Sequence, residues 1–256
     1  MNDSTTPEGQ AIRVSVCLAA YKGSRYIEEQ IDSILRDLGP NDELVVVDDA
    51  SPDDTAAVVK RITDPRIRFV ASSVNKGYVR TFEQAVGLSR GEFIMLSDQD
   101  DVWIPGRVEL MLTALEDHKV VAGNFDVLGG GPRPWIPRLR ASDSTRHLAN
   151  LFAILIGYRA YYGCAMGIRR DALSYFVPIP GYVHESHDLW LAICGNVAQS
   201  IRHLDDSIIL RRLHDENQTP AGWRSLSRIV KARFMILRLV FEAVRRVRGA
   251  DRALAA

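Results

Sequence analysis

Apolar runs alternate with amphipathic stretches through the first hundred residues. RVSVCLAA (13–20), ELVVV (43–47), RIRFVASS (66–73) and the apolar part of GEFIMLSDQDD (91–101) are strand-like. The first is nearly unbroken, as expected of a strand covered on both faces. After it, SRYIEEQIDSILRDL begins at Ser24 and puts apolar residues at 27, 31, 34, 35 and 38, a helical stripe. Ser24 is the expected N-cap and Gly39-Pro40 the stop. SPDDTAAVVKRI predicts a second helix, with Ser51 or Asp53 near its start, and NKGYVRTFEQAVGLSR a loop feeding a third. Strands and helices in this order predict an α/β fold with a mostly parallel, Rossmann-like sheet flanked by helices.

Polar residues collect where those strands should end. LSDQDDVW (96–103) sets Asp98, Asp100 and Asp101 within four positions, where like charges repel. Open α/β sheets bind ligands outside the carboxyl ends of their strands. Ala20-Tyr21, Asp48-Asp49 and the 98–101 cluster all fall on that edge. AAYKGS, the first strand-to-helix turn, lacks GxGxxG, and no GxxxxGK[ST] occurs, so a glycine-rich phosphate cradle is missing. A divalent cation, Mg²⁺ or Mn²⁺, on hard carboxylate ligands would neutralise a bound diphosphate and relieve the repulsion. The rival expectation is an acidic turn that merely caps the next helix, around Pro105.

Composition narrows the partners. The 32 basic and 32 acidic side chains cancel, which removes whole-molecule attraction to nucleic acid or anionic lipid and leaves only local patches. Cys17, Cys164 and Cys194 are odd in number and form no CxxC pair, as expected of small buried residues in a reducing compartment. MNDSTTPEGQ has neither the basic start nor the apolar core of a signal peptide. The longest apolar candidate, LFAILIG (151–157), falls far short of the roughly 18 residues a membrane span needs. A cytoplasmic protein is expected.

The segments SVCLAAYKGSRYIEEQIDSIL, ELVVVDDASPDDT, NKGYVRTFEQAVGLSRGEFIMLSDQDDVW and HDLWLA occur in this order. Together they resemble the inverting glycosyltransferase family 2, whose nucleotide-binding fold is of the GT-A type. LSDQDDVW is especially similar to bacterial rhamnosyltransferase-like members that build cell-surface polysaccharides. The resemblance spans about residues 13–218. It implies a nucleotide base bordered by Ala20 and Tyr21, with Asp49 on the pyrimidine edge, where a carboxylate can accept the ring N–H. It implies a D-x-D element at Asp98 and Asp100, the first near the ribose and the last on the metal, with Asp101 beside them as ligand or support. NKGYVR resembles the loop approaching the nucleotide: Gly77 would permit close backbone approach, and Lys76 or Arg80 would meet phosphate.

In the second half, GGGPRPWIPR (129–138) reads as an irregular loop, and the resemblance implies that the region through GCAMGIRR lines the acceptor side and returns a strand to the sheet. Trp135, Tyr161 and Tyr162 are candidates to stack on sugar faces, although core packing is the commoner fate of aromatics. Asp188, heading the helix HDLWLAICG, matches the family's catalytic base, with His187 and Glu185 as runners-up. The family usually has an acidic residue where His187 stands. RRLHDENQT resembles the closing segment, giving His214 as a further metal ligand and Arg211 or Arg212 as phosphate partners.

From Trp223 the chain predicts a long basic amphipathic helix, apolar at 226, 229, 230, 234, 236, 237, 240 and 241. Over 223–248 it would lie on an anionic membrane, pack on the domain with snorkelling arginines, or join a homodimer. The expected organisation is a flexible 1–12, a GT-A domain over 13–220 and a basic helix and tail over 221–256. The domain divides into a nucleotide half (13–105) and an acceptor half (106–220). The expected activity is metal-dependent, inverting transfer of a sugar from a dTDP- or UDP-sugar, dTDP-rhamnose among them, to a saccharide or lipid-linked hydroxyl. The alternatives are a sugar-phosphate nucleotidyltransferase and a non-catalytic nucleotide-sugar binder.

Overall fold

The computed structural model describes residues 11–131, 137–213 and 226–254. The first apolar run forms β1 (Val14–Ala20), in which every residue but Ala19 is buried, and the second forms the wholly buried β2 (Glu43–Asp48). With β3 (Ile67–Ala71) and β4 (Phe93–Ser97) they make a parallel array in the order β3-β2-β1-β4. Helices α1 (Ile27–Asp37), α2 (Thr55–Arg61) and α3 (Tyr78–Leu88) are the intervening connections.

The second half continues the same sheet with mixed direction. After the short β5 (Val102–Trp103) and α4 (Arg107–Asp117) come β6 (Val120–Val127), α5 (His147–Ile156) and β7 (Met166–Arg169). Next are α6 (Leu173–Phe176), α7 (His187–Val197), β8 (Ile201–Arg211) and α8 (Leu226–Leu254). β7 inserts antiparallel between β4 and β6, β8 runs parallel to β6, and β5 closes the edge antiparallel to β8. The eight strands lie in the order β3-β2-β1-β4-β7-β6-β8-β5. GCAMGIRR does return a strand, β7, to the sheet. The apolar run at 207–210 is the end of a longer strand, because β8 pairs with β6 from Ile201 onward.

Successive residues of a strand face opposite sides, so each strand feeds two cores. Val14, Val16 and Leu18 pack with Ile27, Ile31 and Ile34 of α1 and with Val108, Met111 and Leu115 of α4. Cys17, Val45, Val47, Ile94 and Leu96 pack on the other side with Phe82 of α3, Trp190 and Leu191 of α7, and Leu239 and Ala243 of α8. The C-terminal helix therefore packs on the domain along one stripe: Ile236, Leu239, Ala243 and Val247.

Two local expectations change. Helix α1 starts at Ile27 with no side-chain cap, and Ser24 instead donates its backbone N–H to Asp53 Oδ2 at 3.3 Å. Asp53 also accepts from the Thr55 amide at 3.2 Å, so one carboxylate ties the first turn of α2 to the loop after β1.

Candidate active site

The acidic loop leaves β4 at the carboxyl edge, and a buried polar network fixes it there. Gln30 of α1, fully buried, donates through Nε2 to Ser97 Oγ at 2.7 Å and to the Asp98 carbonyl at 2.8 Å. Trp103 Nε1 also donates to Ser97 Oγ, at 3.2 Å. Gln99 pairs with the backbone of Tyr21 in both directions, accepting its N–H and donating to its carbonyl at 2.8 Å each. The loops after β1 and β4 are thus clamped together. The acidic run does not cap the next helix: the open amides at the start of α4, Gly106 and Val108, donate to Asp37 at 2.7 and 2.8 Å. Capping of α4 therefore falls to Asp37 and not to the acidic run.

One carboxylate oxygen each of Asp98 and Asp101 and the Cys164 sulfur lie within 4.8 Å of one another. Burial, then the neighbouring carboxylates, push both carboxyls well above the usual range. Asp101 is almost wholly buried, and its Oδ2 has no hydrogen-bond partner. A buried anionic oxygen without a partner, beside a second carboxylate, fits a hard divalent cation. Of the three expected carboxylates, Asp98 and Asp101 come together here, whereas Asp100, the expected last residue of the D-x-D element, is outside this group. Asp100 adds its charge to both neighbours, and its carbonyl accepts from Arg212 Nε at 3.0 Å.

Two cations flank the cluster. Arg211, at the end of β8, is buried over the Tyr162 ring at 4.7 Å, and its charge acts on Asp98, Asp101 and Asp188 alike. Arg107, fully buried, stacks on Trp103 at 3.9 Å and donates to the Leu96 carbonyl at 3.0 Å. Burial pulls it down to about 10, which leaves it charged at neutral pH. Sequence reading passed over Arg107 because a lone arginine after a glycine carries no motif.

Asp188 heads α7. Burial pushes it up to about 6, opposed by the Leu189 and Gly163 amides and the Arg211 charge. The turn at 162–164 lies between it and the acidic cluster: the Gly163 amide is within electrostatic reach of Asp188, and the sulfur of the next residue, Cys164, lies within 4.8 Å of a carboxylate oxygen of Asp98 and of Asp101. Cys164 was expected to be a bland buried residue. It is buried and free, as are Cys17 and Cys194, but its surroundings are acidic. Burial beside those carboxylates raises its thiol and keeps it protonated. Tyr78 adds a second link: its hydroxyl accepts from the Ser186 amide at 3.1 Å and lies within electrostatic reach of Asp188, Glu185 and Asp98.

The runner-up bases separate. His187 is buried, stacked on Phe82 with ring centroids 4.4 Å apart, and pulled down to about 4 by burial, so it is a neutral packing residue. Glu185 is exposed.

The donor-side residues divide similarly. Tyr21 is 41% exposed at the edge, and Ala20 is buried at the end of β1. Asp49 is buried, accepting the Lys76 and Gly77 amides at 2.8 Å each, so it shapes the loop that enters α3. Gly77 has φ +81°, and a Cβ there would meet nothing within 4 Å, so the left-handed backbone rather than crowding selects glycine. Lys76 is exposed, with Nζ 3.4 Å from Gln84 Oε1. Arg80 requires correction as a phosphate partner. Its guanidinium donates to Glu83 and to the carbonyls of Ile179, Pro180 and Val183 at 2.6–3.3 Å, a clamp on that loop. Arg212 bridges Glu29 and the acidic loop, its amide donating to Asp101 Oδ1 at 3.2 Å. Tyr161 is core, its hydroxyl 3.0 Å from His203 Nε2, whereas Tyr162 borders the site. His214 and Trp135 lie outside the described residues.

Residues 15–176 match glycosyl transferase family 2. The chain belongs to that family. Its relatives include the Rhizobium meliloti succinoglycan biosynthesis protein ExoO, 35% identical over 117 residues, 45% of this chain and 34% of the relative. Another is the Escherichia coli UDP-Glc:alpha-D-GlcNAc-diphosphoundecaprenol beta-1,3-glucosyltransferase WfgD, 29% identical over 117 residues, 45% of this chain and 46% of the relative. This family-2 chain therefore matches less than half the length of these relatives. Among solved structures, S. aureus TarS 1-349 with UDP-GlcNAc aligns at TM-score 0.70 and 18% identity, covering 89% of this chain and 66% of the other. Mycobacterium tuberculosis glucosyl-3-phosphoglycerate synthase with Mn²⁺, UDP and glucosyl-3-phosphoglycerate aligns at 0.57 and 19%, covering 91% and 80%. The fold is the GT-A type expected of the family.

Proposed function

We propose that this family-2 chain is an inverting glycosyltransferase that moves a sugar from a dTDP- or UDP-sugar to a saccharide or lipid-linked hydroxyl in cell-surface polysaccharide synthesis. One observation carries the reading: a single turn, 163–164, borders both a half-buried carboxylate at a helix start, Asp188, and the carboxylate pair at a strand end, with the Cys164 sulfur within 4.8 Å of oxygens of Asp98 and Asp101. The names of relatives in glycan assembly and the UDP-sugar complex of a structural neighbour support the substrate class.

Asp188 takes the proton of the acceptor hydroxyl as its oxygen bonds to the anomeric carbon. The bond from that carbon to the diphosphate oxygen breaks, and its electron pair leaves with the diphosphate. Such a single displacement inverts the centre and needs no covalent enzyme intermediate. Asp98 and Asp101, with Asp100 beside them, would hold Mg²⁺ or Mn²⁺, which supplies positive charge opposite the departing diphosphate. Arg211 adds fixed positive charge in the same place. Tyr21 borders the base, Asp49 and Gly77 set the loop that approaches it, and Lys76 is the mobile cation of that loop. The half comprising 13–105 carries the donor, and the half comprising 106–220 the acceptor.

The test is transfer from radiolabelled UDP- and dTDP-sugars to saccharide and lipid-linked acceptors, with Mn²⁺ or with chelator. Metal-dependent transfer with inverted configuration is expected. Pyrophosphate release from a nucleoside triphosphate and a sugar phosphate would identify a nucleotidyltransferase instead, and donor binding without transfer or hydrolysis a binding protein.

A further inference from the structure

Helix α8 has a second apolar stripe that its packing leaves outside. Val230, Phe234, Leu237 and Phe241 are spaced four, three and four residues apart, hence on one face, and are 47%, 70%, 52% and 72% exposed. A parallel observation comes from α5, where Leu148, Phe152 and Ile156, each four apart, are 83%, 61% and 52% exposed. Arg233 joins the two rows by donating from Nη2 to the Ile156 carbonyl at 2.8 Å.

The border of this surface is basic. Although the chain as a whole is neutral, α8 carries Arg228, Lys231, Arg233, Arg238, Arg245, Arg246, Arg248 and Arg252 against only Glu242 and Asp251, and of these Arg246 turns into the domain over the Trp190 ring at 5.1 Å. At the ends of α5, a cleft of about 700 Å³ is lined by Arg138, Arg140, Arg146 and Arg159, against Asp143 and Asp205. No helix among the described residues is long and apolar enough to cross a bilayer.

We propose that the α5–α8 face lies on the surface of a bilayer rich in anionic phospholipid, with Phe152, Phe234, Leu237 and Phe241 in the acyl boundary and the exposed basic residues, Lys231 and Arg248 among them, at the headgroups. Charge complementarity selects this occupant. A second copy would bring two strongly positive helices together, whereas an anionic surface attracts both. Exposed aromatic and leucine side chains beside Arg and Lys are what an interfacial, non-spanning helix needs. The inference stands apart from the sugar-transfer reading and is tested without activity.

The experiment is co-sedimentation of the full chain with phosphatidylcholine vesicles, with and without phosphatidylglycerol, at low and high salt. Binding is expected only with the anionic lipid, weakening as salt rises. Phe234→Ser and Phe241→Ser should each weaken it about tenfold or more, and Lys231→Gln and Arg248→Gln about fivefold each. Far-UV circular dichroism and melting should stay unchanged, since both phenylalanines are mostly exposed. Should the serine variants fail to fold, the charge variants carry the test. No sedimentation of the wild-type chain overturns the proposal, as does equal binding to neutral vesicles. So does light scattering that shows a dimer, converted to monomer by the serine pair, with no vesicle binding.

Discussion

Asp188 sits between opposing influences: burial favours its neutral form, while three backbone amides and Arg211 favour the carboxylate, leaving it at about 6. A base in that position is mostly ionised at neutral pH yet basic enough to accept a proton. The acidic limb of kcat/KM should therefore bend near pH 6, with activity rising as pH increases through it. Asp188→Asn should lower kcat by about 10²–10⁴-fold, with donor affinity by calorimetry nearly unchanged. A parallel loss of both would point to a structural role. His187 behaves oppositely. Its folded value, about 4, is below the ordinary 6.5, so its contribution to stability is full above pH 6.5 and is lost as pH falls toward 4. That loss is on the order of 3 kcal/mol. Denaturant titrations of His187→Leu should show a shallower acid decline than wild type.

At the scale of elements, the site is made by loops that three packed pieces hold in register. Gln99 links the loop after β4 to the one after β1, so Gln99→Ala should raise the donor KM severalfold while moving the melting midpoint little, each lost bond being worth about 1 kcal/mol. The 162–164 turn is pressed against α7: a Cβ on Gly163 would stand 2.6 Å from His187 Nε2. His187 is itself packed on Phe82, so the clash cannot relax cheaply. Gly163→Ala should cost about 1–3 kcal/mol in chemical denaturation and reduce kcat by displacing Asp188. Left-handed backbone occurs at Lys22 after β1, Ala50 after β2 and Ser186 before α7, with φ of +55°, +57° and +63°. For non-glycine residues that conformation costs about 1–2 kcal/mol. Strain at the loops bordering one edge is what a preorganised site retains.

For the molecule as a whole, the repulsion among Asp98, Asp100 and Asp101 should make stability responsive to cation and nucleotide. Mn²⁺ with UDP or dTDP should raise the melting temperature, ligand at 100-fold its Kd contributing about 2.7 kcal/mol. Asp98→Asn and Asp101→Asn should abolish most of that shift while raising the melting temperature without metal, since each removes a buried repulsion. An unchanged cation response in both variants would place the ion elsewhere.

The parallel half of the sheet was legible in the sequence because strands buried on both faces read as apolar runs, and β1 and β2 begin and end within a residue of those runs. The acidic edge was legible too, since strand polarity alone puts Asp49 and Asp98 at the same end. What needed the tertiary structure was every role set by partners distant in sequence. Arg80 has a motif-like position, but carbonyls about a hundred residues away take its donors. Arg107 and Cys164 carry no local signal: Arg107 joins the site by stacking on Trp103 and bonding the Leu96 carbonyl, and Cys164 because the strand that follows it, β7, inserts beside β4. Periodicity showed that α8 has an apolar face; only packing decided which of its residues are buried, and so left Phe234 and Phe241 in solvent. Local pattern fixes which side of an element a residue occupies, whereas charge, burial and hydrogen-bond partners belong to the assembled fold.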